Sequence, residues 1–159
     1  MKKRKLSRLV PPGMSGRHEV GWTVLELAAA VGCNALFFFN LYYERFKTLA
    51  EEEEYCKRIG TEMTLKMWSF KAMAGGCGIF YLIVVIIMAF MCLVHCIYYF
   101  KEAKSIYLIR RLPQKGAFIR YTFGLPALGA ALSAVCFLAV RLILLAVYYT
   151  VTPAAWLPA

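Results

Sequence analysis

Five residues on one stretch of this chain have the types and spacing to hold a soft metal. Met88, Met91, Cys92, His95 and Cys96 recur at helical spacing, so one face would present thioether, thiol and imidazole groups. That donor set suits copper or zinc. Met and Cys are also ordinary packing residues, and no acid or second His stands near them in sequence. The reading adopted is therefore no metal and no cofactor. His95 has another use. It lies five residues from the inner end of its apolar run, and Glu26 lies six from the inner end of the first. Equal depth lets the two pair; the alternative is that each separately reaches headgroup water. Asn34 and Arg141 complete the polar groups set in apolar sequence, all costly in lipid and expected to face protein or water. Arg141 stands beyond the midpoint of its run, too far from Glu26 to meet it. It is left with snorkelling outward, pairing with Glu44, or pairing with another subunit. No paired catalytic acids, HExxH motif or Ser/His/Asp set at a common depth is present, so the chain reads as not an enzyme.

The elements that must position these groups are set by hydropathy. The chain has 159 residues, 61% of them hydrophobic, with no Asp. Three apolar runs, 20–43, 72–100 and 122–151, reach the ~20 residues that cross a bilayer. The expected fold is all-α, a polytopic membrane protein with three transmembrane helices and one short cytoplasmic interfacial helix. The net charge of +10 would otherwise suggest nucleic acid, but it sits in short segments beside the spans, where membrane orientation explains it. Residues 1–18 hold six Lys/Arg and no acid, the connection 44–71 balances six basic against six acidic residues, and 101–121 holds six basic residues against Glu102. The positive-inside rule then puts the tail 1–19 and the 101–121 connection in the cytoplasm, and 44–71 and 152–159 outside a bacterial plasma membrane. Trp22, Tyr98, Tyr99 and Tyr121 fit as inner interface anchors, with Tyr42, Tyr43, Trp68, Tyr148, Tyr149 and Trp156 as outer ones. The basic start and Ala28–Ala30 resemble a signal peptide, but the apolar stretch runs on through LFFFNLYY and reads as an anchor. Five of six cysteines lie inside spans, which argues against a disulfide framework.

Within the outer connection, Tyr55, Ile59, Met63 and Met67 recur every four residues, and Glu53–Lys57 and Glu54–Arg58 are favourable helical pairs. Gly60 should break this helix, and the first two spans are expected to project as a helical hairpin. The four consecutive Glu read as a solvated face rather than a cation site. Ala28 with Gly32, and Gly129 with Ser133, are small residues that allow close helix approach. Pro126 is expected in the first turn of the third span, where its missing N–H costs little.

The 101–121 connection is too apolar at its centre for an idle linker. Ser105 can cap a helix and Pro113 should end it. Ile106, Ile109 and Leu112 form its apolar edge, with Arg110 and Arg111 towards water or anionic lipid. It could equally be an interfacial helix lying on headgroups. With its flanking spans, this segment resembles the first half of the permeases of type-2 ABC exporters. In that family a span is followed by a short coupling helix, often ending in Leu-Pro and a basic residue, that docks the ATPase subunit. The matching residues here are Ser105, Tyr107, Leu108, Arg110, Arg111, Leu112, Pro113 and Lys115. Residues 75–126 also resemble small three-span membrane proteins of Firmicutes that accompany ABC transporters. The resemblance implies a non-catalytic membrane subunit that couples an ATPase partner through 104–115 and works with further membrane subunits. The chain departs from full permeases in having three spans rather than about six. It also lacks GxxxxGK[ST], so any ATP hydrolysis belongs to the partner. The competing reading is a small regulatory or scaffolding membrane protein without transport activity.

Overall fold

The computed structural model describes residues 15–62, 65–101 and 116–158. Its elements are α1 (Gly16–Ile59), the short α2 (Phe70–Ala74), α3 (Gly78–Lys101), α4 (Ala117–Val151) and a closing 3-10 turn (Ala154–Trp156). Among the described residues there is no strand. Three helical stretches, Gly16–Ile59, Phe70–Tyr98 and Phe118–Val151, are long and apolar enough to cross a membrane, which makes this a multi-pass membrane protein. The short coupling-like helix expected at 105–113 lies outside the described residues.

The chain divides into two units, Met1–Ala29 with Tyr81–Val135, and Ala30–Phe80 with Cys136–Ala159. In the first, the usual order of inside and outside is reversed. Thr23, His95, Thr122 and Ser133 are buried, while Leu82, Ile86, Phe90, Leu93 and Ile97 are more than half exposed. Such a surface is stable against hydrocarbon, where the buried polar groups must find partners within the protein. Tyr81, Val84, Met88 and His95 share the buried face of α3. α4 meets that face with small residues. A Cβ on Gly129 would stand 2.6 Å from the Met88 sulfur and 3.2 Å from the Thr23 methyl. The Ser133 hydroxyl donates to the Tyr81 carbonyl at 3.4 Å. The Ala28–Gly32 pair makes no such contact, since Gly32 has nothing within 4 Å of where its Cβ would be.

The second unit is built around aromatic rings. Phe38, Leu49, Met67, Met73, Cys77, Leu144, Tyr148 and Trp156 form its buried core. Two of the expected outer anchors, Tyr148 and Trp156, are internal, at 1% and 8% exposure. Trp68, Tyr43 and Tyr149 remain exposed. Residues 65–69 run over this core as an extended strap. The Met67 N–H donates to the Trp156 carbonyl at 2.8 Å, and the Tyr148 hydroxyl donates to the Trp68 carbonyl at 2.8 Å. Arg45 donates to the Lys66 carbonyl, Lys66 Nζ to the Ala155 carbonyl, each at 2.7 Å. Two of these bonds satisfy the strap carbonyls of Lys66 and Trp68, and the other two tie the strap to the carbonyls of Ala155 and Trp156 in the closing turn.

The helical hairpin expected beyond the membrane has one helical arm. α1, at 44 residues, is about 66 Å long against a hydrocarbon core of about 30 Å, so it projects well past the bilayer. Gly60 ends it with φ +75°, a conformation that costs other residues more. The return path is the strap, so the four-residue stripe does not persist. Tyr55 and Ile59 are exposed, Met63 lies outside the described residues, and Met67 reaches the core from the strap. The buried side of α1 at this end is instead Leu49 and Cys56, seven residues apart. The Glu53–Lys57 ion pair forms at 2.6 Å, and Glu54 meets Arg58.

Candidate functional site

The polar groups of the first unit converge on His95, which is fully buried. Its Nδ1 lies 3.1 Å from the Thr122 carbonyl and its Nε2 lies 3.0 Å from Glu19 Oε2. One side chain on α3 thereby ties α4 through its backbone and α1 through a carboxylate.

Why the Thr122 carbonyl is free follows from the sequence. In an α-helix the carbonyl of residue i is taken by the N–H of residue i+4. Four residues after Thr122 stands Pro126, which has no N–H. α4 begins at Ala117, so Pro126 sits inside the helix rather than in its first turn, a correction to the sequence expectation. Its missing donor leaves Thr122 with an acceptor to fill, and the His95 ring fills it. We predict that Pro126→Ala will raise stability by well under the ~3 kcal/mol that such a change brings in an ordinary helix interior. The restored N–H competes with His95 for one carbonyl. Chemical unfolding in detergent reads this directly, and a gain near 3 kcal/mol would show that His95 adds nothing there.

The same geometry fixes the proton count. A carbonyl accepts only, so Nδ1 must donate to Thr122. The contact between Nε2 and Glu19 then needs one further proton. It is either an imidazolium facing a carboxylate, or a neutral ring accepting from a carboxylic acid. Glu19 is itself only 17% exposed, and its own carbonyl accepts from the Thr23 hydroxyl at 3.0 Å. Both alternatives leave the site neutral overall, which is the condition for keeping two ionisable groups in such a place.

Glu26 is not the partner of His95. It lies seven residues further along α1, about 10 Å at 1.5 Å per residue. Its Oε2 is buried with no hydrogen-bond partner among the described residues. Glu19 lies two turns before Glu26 on the same face of α1, a helix that starts at Gly16, before the apolar run begins. Glu19 is the last residue of the tail 1–19, one position before the apolar run. Two of the five soft-metal candidates are engaged elsewhere: Met88 packs on Gly129, and His95 contacts Glu19 and Thr122.

The remaining intramembrane polar residues lie in the second unit. Asn34 is buried at 1% exposure, and its carbonyl lies 4.0 Å from the Cys77 thiol. Arg141 pairs with no carboxylate among the described residues, Glu44 included. Its guanidinium lies over the rings of Phe137 at 5.8 Å and Phe70 at 6.0 Å. The docking residues Ser105, Tyr107, Leu108, Arg110, Arg111, Leu112, Pro113 and Lys115 lie outside the described residues. No protein family, curated protein or solved structure matches this chain.

Proposed function

We propose that this chain is a non-catalytic membrane subunit of an ABC-type transporter in a bacterial plasma membrane, passing movement of a partner ATPase from the 101–121 connection into its helices. The observation that favours this reading is where the His95 node falls. His95 stands six residues before Lys101, the end of α3, and Thr122 six residues after Gly116, just before α4. The segment between α3 and α4 thus has both ends rooted in helices bonded to each other about two turns behind it, and Glu19 carries the link on to α1. A segment held this way transmits a push to all three helices rather than bending alone.

The docking element of the proposal is 105–113, with Leu112 on its apolar edge and Arg110 and Arg111 beside it. Placing a charge in such an interface costs more than the 1.4 kcal/mol that corresponds to tenfold in affinity. Leu112→Asp is therefore expected to lower co-purification of an ATPase subunit at least about tenfold, while Lys115→Ala changes it little. If no ATPase accompanies the wild-type chain, and Arg110→Ala with Arg111→Ala only loosens it from anionic vesicles, the coupling role is wrong and the chain is a small scaffold.

In this reading the N-terminus is cytoplasmic and the C-terminus external. Cys56 cannot report this by thiol labelling, because it is buried at 9% exposure, so the neighbouring exposed Lys57 is the better position. In a background without native cysteines, a membrane-impermeant maleimide added to intact cells is expected to label Lys57→Cys and not Ser105→Cys. The reverse pattern would invert the topology.

A further inference from the structure

Arg141 opens onto a groove of about 400 Å³ lined by Phe70, Leu138, Leu142 and Leu145. Leu138 and Leu142 are 59% and 66% exposed, so the groove faces what surrounds the protein. At its head is a cation with no acidic partner among the described residues, braced by two aromatic rings. An arginine is rarely left so in hydrocarbon without an anion to complete it.

The level of the groove identifies that anion. Tyr148, two turns after Arg141 on α4, donates to the Trp68 carbonyl of the strap. Trp68 is exposed and carries the Arg45 guanidinium 5.5 Å above its ring. An amphipathic aromatic with a cation on it belongs at headgroup depth. The Phe70 ring lies 5.9 Å from that of Tyr148 and 6.0 Å from the Arg141 guanidinium, so Arg141 reaches back towards this layer. The exposed Lys71 adds a second positive charge beside Phe70 in sequence. Leu138, one turn further from the headgroup layer than Arg141, continues the apolar wall inward. A cation at the headgroup boundary above a leucine-lined trough matches an anionic head on an acyl chain.

We infer that this groove binds one anionic phospholipid, with its phosphate on Arg141 and an acyl chain along Leu138 and Leu142. A guanidinium holds phosphate oxygens in a two-pronged contact that an ammonium reproduces only as a point charge. The inference does not depend on the transporter reading.

The test uses the full chain in detergent micelles, titrated with phosphatidylglycerol or phosphatidylcholine, with bound lipid counted by native mass spectrometry. Wild type is expected to retain one phosphatidylglycerol at concentrations where phosphatidylcholine is lost. Arg141→Gln should weaken retention at least tenfold, and Arg141→Lys should restore part of it. Leu142→Trp, which fills the groove from an exposed position and leaves the charge, should also lose the lipid. That variant keeps the test decisive if Arg141→Gln fails to fold. Equal retention of both lipids, or unchanged phosphatidylglycerol binding in Arg141→Gln and Leu142→Trp, would overturn the inference. Self-association that Arg141→Gln abolishes, without any lipid preference, would also overturn it and give the groove to a carboxylate of a neighbouring helix.

Discussion

Replacing His95 with Ala is expected to cost about 3 kcal/mol or more of stability, among the largest losses available to a single substitution in this chain. The change removes two hydrogen bonds at once and leaves their partners behind. The Thr122 carbonyl loses its donor with no helical N–H to replace it, since Pro126 stands four residues on. Glu19 is left largely enclosed with no base to share its proton. Each orphaned group costs about 1–3 kcal/mol, more when charged, and the apolar surroundings offer no water to relieve it. Part of the loss is recovered because a membrane helix out of place also finds other partners, which holds the figure below the sum. His95→Gln keeps an amide donor for Thr122 and should fall between. Guanidinium or SDS unfolding of the purified protein reads both, and a His95→Ala loss under about 1 kcal/mol would mean that the node carries no energy.

Phe38→Ala is the second large effect, and it arises by a different route. Phe38 is fully buried, with ring contacts to Phe70 at 5.8 Å and Tyr42 at 6.4 Å. In water the loss would combine hydrophobic transfer with the cavity left behind. Where hydrocarbon surrounds the protein, the transfer part shrinks, because lipid tails are as apolar as the ring. The cavity part remains. At about 24 cal/mol per Å³, a void of roughly 100 Å³ costs about 2 kcal/mol, with the lost ring contacts adding to it. Phe38→Leu, which fills much of the space, should cost about half as much or less. The unfolding assay used for His95 checks the order of the two Phe38 variants. A Phe38→Ala loss of 4–5 kcal/mol, as in a water-soluble core, would place this region outside the hydrocarbon.

Hydropathy carries most of what was legible. The three apolar runs became three spanning stretches, because about twenty predominantly apolar residues have few ways to satisfy a backbone in lipid except as helix. Ala28 with Gly32 and Gly129 with Ser133 are alike in sequence, and only the second pair is used as a contact face. Small residues permit close approach, but only a neighbour across from them makes use of it. Glu19 was hidden by the edge of the apolar run, since hydropathy marks where lipid begins and not where the helix begins. The pairing of His95 with Thr122 left a trace in the sequence: a proline inside a helix always frees the carbonyl four residues before it. Reading Pro126 as a first-turn residue erased that signal. The strap 65–69 was not legible at all, because its bonds run through backbone carbonyls and depend on where the C-terminal turn happens to lie.

A pair of double-mutant cycles tests the central claim most directly, that His95 joins α1 through Glu19 and α4 through the carbonyl freed by Pro126. One cycle combines Glu19→Gln with His95→Ala; the other combines Glu26→Gln with His95→Ala, all in the full chain and under one detergent condition. Residues in contact show coupling of about 0.5–3 kcal/mol, while distant ones add within about 0.5 kcal/mol. The structure predicts clear coupling in the first cycle and additivity in the second. Additivity in the Glu19 cycle, with coupling in the Glu26 cycle, would contradict it.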